Sequence, residues 1–142
     1  MTAINPYLIF NGKAEEAFNF YKSVFGGKFA GIQRFKDMPS SKDVPKGEED
    51  LIMHVALPIG KGNMLMGSDA PESSGKVIVG SNSYISVNVD SKAEAKKLFN
   101  GLSAGGEIQM PLADMFWGAY FGMLKDKFGV QWMVSHDNKT QK

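Results

Sequence analysis

The strongest constraint on the fold is that the chain runs twice through one order of elements. Residues 6–10 (PYLIF) are a short apolar run closed by Asn11-Gly12, which predicts a buried strand. Over 13–25, Ala14, Ala17, Phe18, Tyr21 and Phe25 recur at helical spacing and mark one buried stripe; Asn11 is placed to cap this helix and Gly26-Gly27 to stop it. Residues 28–36 read as a strand, and 37–50 as a polar loop broken by Pro39, Pro45 and Gly47. A strand over 51–59 follows, then the turn Gly60-Lys61-Gly62 and a returning strand over 63–68. In the 51–59 strand, alternation puts Leu51, Met53, Val55 and Leu57 on one face and Ile52, His54 and Ala56 on the other.

The order then restarts. Residues 83–89 (SYISVNV) alternate Ile85, Val87 and Val89 with Tyr84, Ser86 and Asn88. Asp90-Ser91 offers a helix cap, Ala95, Leu98, Phe99 and Leu102 form a second buried stripe, and Gly105-Gly106 ends it. Strands over 107–112, 119–125 and 130–135 complete the set. Tyr21 matches Phe99, Pro6 matches Tyr84, and 62–68 (GNMLMGS) aligns with 129–135 (GVQWMVS), the halves differing in loop length. Such self-similarity predicts an α+β fold of two βαβββ modules, about 1–70 and 81–136, with a linker at about 71–80.

Composition narrows the function classes. At 142 residues with 43% hydrophobic and 22% charged side chains, the chain suits a single domain with a real core. It has no cysteine, which removes disulfides, thiolate nucleophiles and Cys-ligated zinc. The net charge of +1 and a single arginine, Arg34, argue against nucleic acid as a partner. No apolar run has the length of a membrane span, and residues 1–6 show no basic-then-apolar signal pattern, so the expectation is a cytoplasmic protein without a membrane partner. There is no phosphate-cradling glycine loop ending in Lys-Ser/Thr and no GxGxxG after the first strand.

Several segments carry a more specific likeness: Asn5-Pro6-Tyr7-Leu8, Asn11-Gly12, Ala14-Glu15-Glu16-Ala17, Phe20-Tyr21 and Val24-Phe25-Gly26-Gly27 in the first half; Met53-His54 and Met66-Gly67-Ser68-Asp69 between; and Trp117-Gly118, Tyr120-Phe121-Gly122, Asp126, Phe128-Gly129 and Trp132 in the second. With the doubled βαβββ order they resemble the vicinal oxygen chelate superfamily of glyoxalase, bleomycin-resistance and dioxygenase proteins, in its PhnB-like branch, over nearly the whole chain. The resemblance implies a curved sheet in each module, a cup holding the site, and a homodimer. The branch also carries the label 3-demethylubiquinone-9 3-methyltransferase, which a chain without a parallel nucleotide-binding sheet and glycine-rich first turn does not support.

In metal-using members of that superfamily, four His or Glu ligands come from the first and last strands of each module. Carried over, these positions fall on Pro6, Tyr84, Met66 and Met133. Proline has no side-chain donor, thioethers suit soft ions, and a neutral tyrosine is a poor ligand, so no metal ligand and no cofactor is assigned.

The candidate site residues each have a plainer alternative. His54 is a core histidine or a polar pocket group able to transfer protons. Tyr84, Ser86 and Asn88 are a solvated stripe or donors lining the cup. Ser68 and Ser135 hold matching positions as weaker candidates. Arg34 is a surface ion pair or a bidentate clamp for a carboxylate or phosphate. Trp117, Tyr120 and Phe121 are core packing or an aromatic wall for a flat or cationic ligand. His136, beside a polar tail, reads as exposed, and the methionines as gap-fillers. The functional expectation is metal-independent binding of an unknown small molecule in the cup. The alternatives are a glyoxalase-type lyase or isomerase, with an atypical metal site or acid/base work by His54 with Tyr84, and a regulatory domain using the polar loop 37–50.

Overall fold

The computed structural model describes residues 2–38 and 44–138. The chain divides into two compact units, the boundary falling between Ile78 and Val79. The first contains β1 (Tyr7–Phe10), α1 (Ala14–Phe25), β2 (Gly31–Arg34), β3 (Ile52–Ile59) and β4 (Asn63–Asp69). The second contains β5 (Ile85–Asn88), α2 (Lys92–Ser103), β6 (Glu107–Asp114), β7 (Ala119–Lys125) and β8 (Gln131–Asp137). The sheets have orders β1-β4-β3-β2 and β5-β8-β7-β6, the same topology twice, each with one parallel edge pair. This is the α+β arrangement of two βαβββ modules that the repeat predicts. No helix among the described residues is long and apolar enough to cross a membrane.

In the first unit α1 covers one face of the sheet. Its stripe residues Ala14, Ala17, Phe18 and Tyr21 are fully buried against β3 and β4. Burying a side chain such as Phe18 contributes about 1.5–3 kcal/mol. The approach is close because Gly67 of β4 lies under Phe18: a Cβ there would sit 2.6 Å from the ring. The second unit repeats the device, with Gly122 of β7 under Phe99 of α2.

The helix starts differ from expectation in one case. Ser91 caps α2, accepting from Glu94 N at 3.1 Å, and Glu94 accepts in return from Asp90 N. Asn11, however, does not cap α1. Its side chain exchanges two hydrogen bonds with the backbone of Val77. The cap comes from Asp69, at the end of β4, whose buried carboxylate accepts from Ala14 N and Ile52 N, both at 2.9 Å. Negative charge at a helix N-terminus meets its orphan N–H groups and its dipole.

Two further expectations are corrected. The strand expected over 28–36 is only Gly31–Arg34, followed by a 3-10 turn at Phe35–Asp37; of the loop expected over 37–50, residues 39–43 lie outside the described residues. β3 also does not alternate throughout. Gln33 pairs with His54 but Arg34 pairs with Ile52, so Met53 is an extra residue in a bulge. The bulge moves Ile52 to the helix-covered face with Val55 and Leu57, all three fully buried, and leaves His54 and Ala56 on the other.

Candidate functional site

Each sheet has one face covered by its helix and one turned away, here called the open face. Directly opposed residues in a ladder share a face. In the second unit the open face therefore carries four rows read across the strands: Gln131, Lys125 and Glu107; Ser86, Met133, Met123 and Met110; Asn88, Ser135, Phe121 and Ala113; and Asp137 and Ala119. Tyr84 joins the first row. Its hydroxyl donates to Gln109 Oε1 at 2.9 Å, Gln109 Nε2 donates to Gln131 Oε1 at 2.9 Å, and Gln131 Nε2 donates to the carbonyls of Ser81 and Ser83. This chain links residues at opposite edges of the sheet, so the open face is concave at that end.

Beyond the third row, Trp117 in the β6–β7 turn packs edge-on against Phe121, with ring centroids 5.7 Å apart, and against Phe116 at 5.1 Å. Trp117 stays 49% exposed. Tyr84, Ser86, Trp117 and Phe121 thus belong to the open face. Tyr120 does not: it opposes His136 on the helix side, under Lys92 Nζ at 5.1 Å from its ring. Lys92 is itself paired with Asp114 at 3.0 Å, and together with the Asn138 amide it holds that carboxyl below the usual range. His136, expected to be exposed, is 1% exposed. It is the second unit's counterpart of Asp69, and its Nδ1 donates to the Val89 carbonyl at 3.0 Å.

In the first unit the open face carries Tyr7 and Ile9 of β1, Met64, Met66 and Ser68 of β4, and His54 and Ala56 of β3. Tyr7, not singled out from sequence, lies beside His54, its hydroxyl 3.4 Å from Nδ1 and the rings tilted at 5.8 Å. The pairing of Val55 with Gly67 sends His54 and Ser68 to this same face. Arg34 is elsewhere. It opposes Ile52 on the helix side, and its guanidinium forks onto Glu15 of α1 at 2.6 and 3.1 Å and onto the Asp50 carbonyl at 2.8 Å. The Arg34 hydrogen bond holds the Glu15 carboxyl below its ordinary value. Arg34 therefore braces helix to sheet.

A family model, the glyoxalase/bleomycin resistance protein/dioxygenase superfamily, matches residues 3–134. The chain belongs to this superfamily. It is 32% identical to protein YjdN of Escherichia coli, over 93% of each chain. Among solved structures it is similar to protein PA1353 of Pseudomonas aeruginosa, with 44% identity, a TM-score of 0.85 and coverage of 96% and 98%. It is also similar to the PhnB protein of Bacillus cereus, with 28% identity, a TM-score of 0.74 and coverage of 95% and 99%. These similarities fall in the PhnB-like branch.

The superfamily's divalent metal does not fit the residues present. The register pairs Met66 with Tyr7 and Met133 with Ser86, so the first-strand positions facing the methionines are Tyr7 and Ser86, one step from Pro6 and two from Tyr84. Neither assignment supplies a carboxylate or imidazole. Among the described residues no group of three or more His, Cys, Asp or Glu is placed to hold a metal ion. Hard divalent ions select oxygen and imidazole donors, and no step is derived through one.

Proposed function

We propose that this protein binds a small, uncharged, largely aromatic molecule on the open face of its sheet, without a divalent metal. The observation carrying this reading is the open face of the second unit. The surface sets a half-exposed Trp117 and a partly buried Phe121 beside the hydroxyls of Ser86 and Ser135 and the amide of Asn88. Such apolar walls with a few fixed polar groups suit small-molecule sites. The row nearest the polar chain sets Lys125 opposite Glu107, so its two formal charges are opposite in sign and give an ionic ligand no net charge to pair with there.

The test uses the protein's own reporter. Trp117 is half exposed and Trp132 is 1% exposed, so a ligand on the open face perturbs the first and spares the second. A panel of uncharged aromatic and heteroaromatic compounds, titrated onto chelator-treated protein, should include members that quench tryptophan emission saturably and bind more weakly to Phe121→Ala. Binding seen only after a divalent metal is added, or no compound acting at all, contradicts the reading. A second reading, proton-transfer catalysis in the first unit, rests on the Tyr7–His54 contact. Conversion of a panel compound that is abolished by His54→Gln with the fold intact would replace binding by catalysis.

A further inference from the structure

Three of the chain's nine methionines stand in one row on neighbouring strands. Met110 of β6 opposes Met123 of β7, and Met123 opposes Met133 of β8. Opposed residues have Cβ atoms about 4.5–5.5 Å apart on one face, so the three thioethers rise side by side from the open face. Met110 reaches that face only because of a bulge. Ile108 opposes Leu124 on the helix side, and plain alternation would leave Met110 there too; the extra residue Gln109 turns it over.

The sheet's curl adds to this. Gln109, beside Met110, bonds Gln131, two residues before Met133, although β7 lies between their strands. The curl that brings Gln109 of β6 into contact with Gln131 of β8 shortens the span across β7 between Met110 and Met133 in the neighbouring row. All three keep partial solvent access, Met110 being 38% exposed.

We propose that Met110, Met123 and Met133 form a binding site for a soft monovalent cation, Cu(I), held by three thioether sulfurs. Thioethers are neutral and polarizable; they select Cu(I) and leave hard divalent ions hydrated, so the site does not revive the superfamily's metal chemistry. With no cysteine in the chain, no thiolate competes for the ion. The proposal does not rest on organic ligand binding, since coordination by sulfur needs no other molecule.

The test is anaerobic titration of the metal-free full chain with Cu(I) against a coloured Cu(I) chelator, alongside Ag(I) additions followed by NMR of methyl-labelled methionine. The expected result is stoichiometric withdrawal of Cu(I) from the chelator, with Ag(I) shifting the Met110, Met123 and Met133 methyl signals. Withdrawal is lost in the triple variant Met110→Leu, Met123→Leu, Met133→Leu and retained in Met53→Leu. Leucine nearly conserves methionine's volume, so the fold should survive, and an unchanged circular dichroism spectrum checks this. Failure of the wild type to withdraw Cu(I), or undiminished withdrawal by a folded triple variant, overturns the proposal.

Discussion

Asp126→Ala is expected to destabilise the second unit by about 3–5 kcal/mol, as summed penalties for buried donors left unpaired. Asp126 is 3% exposed and sits in the β7–β8 turn. Oδ1 accepts from Phe128 N at 2.8 Å and Val130 N at 3.1 Å, and Oδ2 accepts from the indole N–H of Trp132 at 2.8 Å. Alanine would leave all three donors without this acceptor, the indole N–H in the buried core and the two turn amides partly buried. Trp132 is among the largest buried side chains, so the turn and the core lose their tie together. Asp126→Asn should cost less, because it keeps one acceptor oxygen. Urea unfolding followed by circular dichroism and by tryptophan emission measures both variants; a loss below about 1 kcal/mol for alanine, the worth of one ordinary hydrogen bond, would contradict the assigned role.

Gly67→Ala is expected to cost about 3 kcal/mol, near the upper end for overpacking a core. The added Cβ would lie 2.6 Å from the Leu8 carbonyl oxygen and 2.6 Å from the Phe18 ring. The ring could tilt, but the carbonyl belongs to the parallel β1–β4 ladder and has nowhere to go. Gly31→Ala is the internal control. It lies in β2 of the same sheet, with ordinary backbone angles and nothing within 4 Å of its would-be Cβ. Thermal melts of the two variants should therefore differ by many degrees. Equal melting temperatures would mean that α1 does not seat on Gly67.

These two residues show why the fold was legible in the sequence. The segments that carry the family likeness are largely structural devices. Asp126, Phe128, Gly129 and Trp132 form one hydrogen-bonded turn; Asp69 caps α1; Asn11 ties the segment before α1 to Val77; Asn5 accepts from Met64 N at 3.2 Å. Hydrophobic spacing placed both helices within a residue or so, because each buries a single stripe. The open faces were harder to read. Their membership depends on register, and register turns on bulges at Met53, at Gln109 and between Met110 and Ala113 that alternation cannot foresee. One such bulge sends Ile52 to the helix side, opposite Arg34; another brings Met110 out to the open side. Nearness in sequence groups Tyr120 with Trp117, but the strand sends it to the opposite face from Phe121. The polar tail after His136 suggests exposure, yet β8 continues through Asp137 and carries it inside.

Ligand chemistry remains the point on which this protein departs from metal-using members of its superfamily. With Tyr7, Ser86, Met66 and Met133 at the facing first- and last-strand positions, the sheets offer no oxygen-rich or imidazole-rich site for a hard or borderline divalent ion. The deciding measurement is elemental mass spectrometry on untagged protein dialysed separately against Ni(II), Zn(II), Mn(II) and Fe(II) and then against metal-free buffer. A metal content far below one ion per chain in all four baths is the predicted result. Near-stoichiometric retention of any of them would contradict a divalent-metal-free open face and favour the alternative of metal-assisted catalysis.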